Sequence, residues 1–137
     1  MRQDRSYVRR LSAAAGLILA LCAPLAADEP SPKQAIVAQL QQAVRDNDKA
    51  WLAEHVRYPL HYYGPRKLVV RDKTAFIRDC ASLFGAKLRA AILAQDPASV
   101  FENSQGLMIG EGLYNVWVRD TGDGGTPRYQ IIAINGP

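Results

Sequence analysis

The first 27 residues differ from the rest of the chain, and this contrast sets how much sequence is left to fold. Four arginines lie among the first ten residues, and residues 11–27 then carry no charge. A basic start, a short apolar run and small residues before a polar segment are the parts of a secretory signal peptide. The uncharged run is shorter than the roughly 20 apolar residues that a lasting membrane span prefers. We therefore expect cleavage after Ala27, no membrane attachment afterwards, and a periplasmic or secreted protein.

Cys22 bears on the alternative that the leader becomes a lipid anchor. The segment that ends at Cys22 resembles a bacterial lipoprotein box, but the residue before the cysteine should be small and Leu21 is not. We therefore expect loss of the leader rather than lipidation at Cys22. Cys80 is then the single cysteine of residues 28–137, so no intramolecular disulfide can form there. Its apolar neighbours predict a buried thiol that packs as a small hydrophobic side chain.

The charge of the chain changes when the leader is set aside. The full sequence has 17 basic and 13 acidic residues. Residues 1–27 hold four arginines and one aspartate, which leaves 13 basic and 12 acidic residues, a net charge of +1. No basic stripe with interleaved aromatic residues remains, so we expect no nucleic-acid partner. The remaining 110 residues (137 − 27) suit one domain, residues 28–137.

Capping residues mark three helix starts. Ser31 precedes Pro32 and stands three residues before Gln34, which is the arrangement of a capping box with proline at the first helical position. Asp48 and Asp72 are expected to cap a short second helix and a third helix. Apolar residues at helical spacing then follow the first and third starts: Ile36, Val37, Leu40 and Val44, and Phe76, Ile77, Cys80, Leu83 and Phe84.

The strand signals begin after the second helix. Residues 56–63 alternate and are rich in aromatic side chains, and residues 67–71 form the return strand of a hairpin. Because Pro59 cannot donate to a ladder, we expect an edge strand or a bulge there. Three later segments predict an antiparallel meander: residues 106–109, 113–119 and 128–135. The order indicates an α+β fold, with N-terminal helices packed on a curved antiparallel sheet in a cone-like shape.

The stretch of residues 105–118, QGLMIGEGLYNVWV, is the most distinctive in the chain. With the order of elements over residues 32–135, it resembles the nuclear-transport-factor-2-like, or cystatin-like, superfamily, and in particular small exported bacterial proteins of unknown role. The resemblance implies a cone-shaped domain, and it favours a homodimer through the sheet. Members of the superfamily include isomerases, dehydratases, transport adaptors and binding modules, so the fold does not choose a function.

Four aromatic residues of the first strand form one candidate site. Tyr58 and Tyr62 share one face of the strand, and His61 and Tyr63 share the other. Aromatic side chains with polar tips can line an apolar pocket and orient a ligand. They can equally cover the open end of the core, and the sequence leaves both interpretations open.

Asn115 and Trp117 form the second candidate site, on one face of the longest predicted strand. The other face holds Tyr114, Val116 and Val118, which should pack against the helices. Trp117 would then be exposed, and an exposed aromatic residue on a sheet indicates an interface. A slip or bulge at the preceding glycine turn would reverse the two faces.

No set of residues suggests catalysis. Asp72 is explained as a helix cap, Asp79 should face water, and Glu111 lies in a glycine turn, so none serves as an inward base. The two histidines, His55 and His61, lack the spacing of metal ligands. The acidic loop over residues 120–126 lacks the spacing of a calcium loop.

We therefore predict an exported, non-enzymatic domain that binds a small apolar ligand, a peptide or a protein partner, without a metal or cofactor. The candidate ligand-binding residues are Tyr58, His61, Tyr62, Asn115 and Trp117. The alternative is an isomerase- or dehydratase-like enzyme of the same fold, which requires an acid or a histidine beside a tyrosine in a closed pocket.

Overall fold

The computed structural model describes residues 28–137, so the predicted signal peptide and Cys22 lie outside the described residues. The elements of this part, in chain order, are α1 (Pro32–Arg45), α2 (Lys49–Glu54), β1 (Val56–Tyr63), β2 (Lys67–Val70), α3 (Lys73–Leu83), α4 (Ala86–Ala94), β3 (Phe101–Asn103), β4 (Gly106–Glu111), β5 (Tyr114–Asp120) and β6 (Tyr129–Asn135). A single 3₁₀ turn, Pro97–Ser99, leads into β3. The α+β class is confirmed.

The predicted caps begin three of the helices. The Ser31 hydroxyl accepts a hydrogen bond from the Gln34 backbone N–H (3.2 Å), and the Gln34 side chain accepts one from the Ser31 N–H (3.0 Å). The carboxylates of Asp48 and Asp72 accept from backbone N–H groups in the first turns of α2 and α3. Gly85 lies between α3 and α4 and is the N-cap residue of α4. These local contacts satisfy N–H groups that a helix start leaves without partners.

The strands of residues 28–137 form one sheet in the order β2-β1-β6-β5-β4-β3. β1 and β6 run parallel, and every other neighbouring pair is antiparallel. The sheet is therefore mixed, where we expected antiparallel pairing throughout. The long connection between β1 and β6, which includes two helices and four strands, lets the chain return in the same direction.

The prediction of an edge strand at Pro59 is wrong, whereas the alternative of a bulge agrees with an irregular register in this part of β1. β1 lies between β2 and β6, because β2 takes the edge position. The register of β1 against β6 shifts between Val56 and His61, the interval that contains Pro59. The ladder is interrupted where proline has no N–H to donate, so an inner strand can hold this residue.

The core lies between the helices and one face of the sheet. Side chains with at most 2% of their surface exposed come from both layers: Val37, Leu40, Phe76, Leu88 and Ile92 from the helices, and Leu60, Ile109, Val116 and Ile134 from the strands. Cys80 is buried as predicted, and burial raises the pKa of its thiol. None of the helices described for residues 28–137 is both long and apolar enough to cross a membrane.

Candidate functional site

One row of side chains crosses all six strands of the described sheet on the face opposite the core. The register pairs each member with the next: Phe101, Met108, Trp117, Ala133, His61 and Val69. We call these six residues the outer row. Phe101, His61 and Val69 are exposed, and the other three are half-buried. The row is therefore a mainly apolar strip that no helix of residues 28–137 covers.

Trp117 lies in the middle of the outer row. Its neighbours in the strand, Val116 and Val118, are buried in the core, so the predicted face assignment is confirmed. Its ring meets that of Phe101 edge to face, with centroids 6.4 Å apart and planes at 88°. A register shift between β5 and β6 directly after Trp117 adds one residue to β6 without exchanging the faces of β5. The indole is held by cross-strand packing and stays partly open to solvent.

Asn115 shares the face of Trp117 but is 5% exposed. Its Nδ2 donates to the Gly112 carbonyl oxygen (2.8 Å), and its Oδ1 accepts from Asn135 Nδ2 (2.7 Å). The first bond closes the turn between β4 and β5, and the second joins β5 to β6. The amide is thus used within the fold, and Asn115 supports the site rather than offering free hydrogen-bonding groups.

The charged residues of the outer face are all basic. Arg57, Lys67 and Arg119 alternate in phase with the outer row, on β1, β2 and β5. The carboxylates of the described strands, Glu102, Glu111 and Asp120, alternate with the opposite phase and therefore belong to the core side of the sheet. Arg119 Nε donates to the Gln105 carbonyl oxygen (2.8 Å), which fixes one of the three cations. The outer face therefore combines an apolar strip with positive charge and has no carboxylate of its own.

Tyr58 and Tyr62 do not join this face, because they point to the core side of β1. The Tyr58 hydroxyl donates to the Ala53 carbonyl oxygen (2.9 Å), and its ring meets Phe76 edge to face. Tyr62 is 8% exposed and donates to the Gly136 carbonyl oxygen (3.2 Å). Burial, helped by nearby carboxylates, raises the pKa of Tyr58 to about 12. Of the two open interpretations for these tyrosines, the contacts support the one in which they cover the core.

Several members of the outer row were missed by the sequence analysis. Phe101, Met108, Ala133 and Val69 lie on four different strands, and only the register brings them beside Trp117 and His61. Phe101 starts the three-residue strand β3, which is too short to show alternation. Strand alternation places Met108 on the outer side of β4, as it places Trp117 on the outer side of β5. To predict that the two residues are neighbours, the pairing register of the strands is also needed.

The acids weighed for catalysis lie where the sequence predicted. Asp72 caps α3, Glu111 is exposed, and Asp79 forms an ion pair with Arg78 (2.9 Å), which lowers the pKa of Asp79. Among residues 28–137 no carboxylate is buried, and no cluster of three potential metal ligands occurs. The enzyme alternative thus finds no acidic base in the described interior.

Comparisons with protein-family models, curated proteins and solved structures found no match to this chain.

Proposed function

We propose that this chain is a binding domain that acts outside the cytoplasm and docks a protein partner on its outer face. The partner's contact surface carries carboxylates around an apolar patch. The observation that supports this proposal is the outer row itself, an apolar strip across six strands whose neighbouring charges, Arg57, Lys67 and Arg119, are all basic. The basic and apolar leader in residues 1–27 supports the compartment.

The shape of the outer face favours a protein over a small apolar ligand. Five strand spacings of about 4.8 Å give the row a width of about 24 Å. Sites for small molecules are concave and enclose most of the ligand's surface, whereas an open sheet face encloses little. A partly exposed tryptophan near the centre, flanked by Met108 and Ala133, has the composition of an interface centre.

Charge favours an acidic partner over a second copy of the chain. Face-to-face pairing of two copies would bring six cations to one interface, with no carboxylate on either face to meet them. Like charges that face each other across an interface cost several kcal/mol. A partner with carboxylates at its rim would gain both steering and pairing from Arg57, Lys67 and Arg119. The homodimer that the superfamily resemblance favours is therefore an outcome that the experiment must detect.

The order of elements supports membership of the nuclear-transport-factor-2-like superfamily as part of the same proposal. Two helices, a hairpin, two more helices and an antiparallel meander follow one another, and the meander ends beside the first hairpin strand. A broad, open sheet face in such a domain is a natural place for an interface, because the helices occupy the other side.

The test uses two synthetic peptides as probes, one that alternates glutamate with phenylalanine and leucine, and a twin with lysine for glutamate. Calorimetric titration of the purified protein should give clearly tighter binding of the acidic peptide, weakened by added salt. Trp117→Ala should weaken the binding of this peptide about tenfold or more, since a central tryptophan is a typical hot spot. Tyr58→Phe is the matched control, because it changes an aromatic residue on the covered face of the sheet.

Two kinds of result would overturn the proposal. The first is equal binding of the two peptides, or acidic-peptide binding that Trp117→Ala leaves unchanged. The second is a stable dimer in sedimentation equilibrium that Trp117→Ala dissociates, because the outer face would then be a self-association surface. Arg57→Gln combined with Arg119→Gln gives an independent check, since it should remove the preference for the acidic peptide while leaving the apolar strip intact.

A further inference from the structure

A cleft of about 360 Å³ lies at the start of α1 and shares no residue with the outer row. Its walls come from three separate segments: the first turns of α1, the end of α2 with His55, and the chain that leads into β6. The volume falls within the range of about 300–1,000 Å³ that small-molecule sites occupy. The cleft can therefore hold a small organic molecule, and its side chains indicate which kind.

His55 is held in one orientation in the wall of the cleft. Its Nδ1 lies 2.8 Å from the Trp51 carbonyl oxygen, and its ring stacks on the Trp51 indole with centroids 3.7 Å apart. A carbonyl oxygen only accepts, so the proton of this bond is on Nδ1. Nε2 has no hydrogen-bond partner among residues 28–137 and is the ring nitrogen left for a ligand. Because the ring is already fixed, a ligand would not have to order it on binding.

The carboxylate that lines the cleft, Glu54, is already paired with a cation. Glu54 forms an ion pair with Lys73 (2.6 Å), and this hydrogen bond lowers the pKa of Glu54. Glu54 therefore has a cation of its own outside the cleft wall, and the repulsion that it would exert on an anionic ligand is reduced.

Arg128 lines the cleft from the chain that leads into β6 and is a cation without a carboxylate partner among the described residues. The Asp120 carboxylate accepts from the backbone N–H groups of Gly122 and Arg128, both at 2.9 Å, and not from the guanidinium. Glu102, whose charge acts on Tyr129, pairs with Lys33. A guanidinium has the planar, forked donors that match a carboxylate. Arg128 thus gives the cleft one cation that can pair with a small anion.

The remaining walls supply both an apolar surface and further polar groups. Pro32, Ala35 and Ile36 form an apolar side in the first turns of α1. Gln39 and Tyr129 also line the cleft, and neither the Gln39 amide nor the Tyr129 hydroxyl has a hydrogen-bond partner among residues 28–137. A ligand that satisfies all of these groups has one charged end and a short apolar body.

We propose that this cleft binds a small carboxylate with an aromatic or branched aliphatic body. The carboxylate lies against Arg128 and within reach of His55 Nε2 and the Tyr129 hydroxyl, and the body packs against Ile36. This site is independent of the partner surface on the outer face, so either can fail without the other.

The experiment uses the tryptophan that stacks on His55 as its reporter. The chain has two tryptophans, and Trp117→Phe leaves Trp51 as the only one. Sodium benzoate titrated into this variant should change the Trp51 fluorescence saturably, with a dissociation constant of about 1 mM or tighter, as expected for a ligand of this size. Benzyl alcohol, which has the same body without the charge, should bind at least tenfold more weakly, and so should acetate, which lacks the body.

Matched variants locate the binding and decide the result. Arg128→Gln and His55→Phe should each weaken benzoate binding, the first at least tenfold, whereas Arg66→Gln, a change in the turn between β1 and β2, should not. Amide chemical shifts of Arg128 and Tyr129 provide a second readout in case the fluorescence is insensitive. The proposal is overturned if benzoate changes neither signal up to 50-fold the expected constant, if Arg128→Gln binds it unchanged, or if the shifts centre on the outer row.

Discussion

The two faces of β1 place similar residues in opposite roles. Tyr58 and Tyr62 point to the core side, and each hydroxyl donates to a backbone carbonyl oxygen. His61 and Tyr63 point to the outer side, where they are exposed. Their rings are nearly parallel, with centroids 6.3 Å apart and planes at 19°. An aromatic residue that is covered stabilises the fold, and one that is exposed offers surface to a partner. The difference comes from strand phase, since neighbours one residue apart face opposite ways.

The same contrast extends over the whole sheet. The covered face is closed by helices and lined with fully buried aliphatic side chains. The outer face keeps a half-open apolar row, and its charges are basic. Stability should therefore depend on the covered face and binding on the outer face, and three sets of substitutions test that division.

The largest effect is expected from a phenylalanine pair that differs in its side of the sheet. Phe76 is fully buried and Phe101 is 53% exposed. Phe76→Ala should lower the free energy of unfolding by about 3–5 kcal/mol, because it leaves a cavity in the core. Phe101→Ala should lower it by about 1 kcal/mol or less, since it removes only surface contacts with Met108 and Trp117. Urea denaturation measures both, and equal losses would contradict the division between the faces.

An intermediate effect is expected at Asn115, which sharpens the comparison because it is buried although it belongs to the outer face. Asn115→Ala removes two hydrogen bonds and leaves the Gly112 carbonyl oxygen and Asn135 Nδ2 without their partner. We expect a loss of about 1–3 kcal/mol in the free energy of unfolding. A double-mutant cycle with Asn135→Ala should give a coupling of about 0.5–1.5 kcal/mol. Additive losses would show that the amide pair contributes nothing as a pair.

The smallest effect is expected from removing single hydroxyl groups on the two faces of β1. Tyr58→Phe should lower the free energy of unfolding by about 1 kcal/mol at neutral pH, because the bond to Ala53 is lost. Tyr63→Phe should change it very little, since Tyr63 is 44% exposed. Chemical denaturation of the two variants beside the parent protein measures the difference.

The pH dependence gives the Tyr58 prediction a second readout. The pKa of Tyr58 rises from an ordinary value of 10 to about 12 in the folded protein. The unfolded chain therefore loses this proton first, so the contribution is complete below pH 10 and is lost as the pH rises through about 12. The stability difference between the parent protein and Tyr58→Phe should shrink over that interval. A constant difference would mean that the pKa of the Tyr58 hydroxyl is not raised in the folded protein.

Local features were predictable because they depend on neighbours in the sequence. The capping box at Ser31, the caps at Asp48 and Asp72 and the two faces of β1 follow from short-range hydrogen bonding and from strand alternation. Strand β3 was not predictable, because three exposed residues show no alternation. The position of β1 inside the sheet was not predictable either, because proline is compatible with both an edge and a bulge.

By itself, the sequence determined where α1, α2 and α3 begin, where the described strands other than β3 lie, and which side of β5 is apolar. It also determined that residues 28–137 carry almost no net charge, and that Cys80 packs as a hydrophobic side chain. The tertiary structure alone decided the parallel pairing of β1 with β6, which places His61 beside Ala133 and so completes the outer row. It alone decided the cleft that Arg128 and His55 both line. Both depend on contacts between residues far apart in the chain, which local propensity and periodicity do not specify.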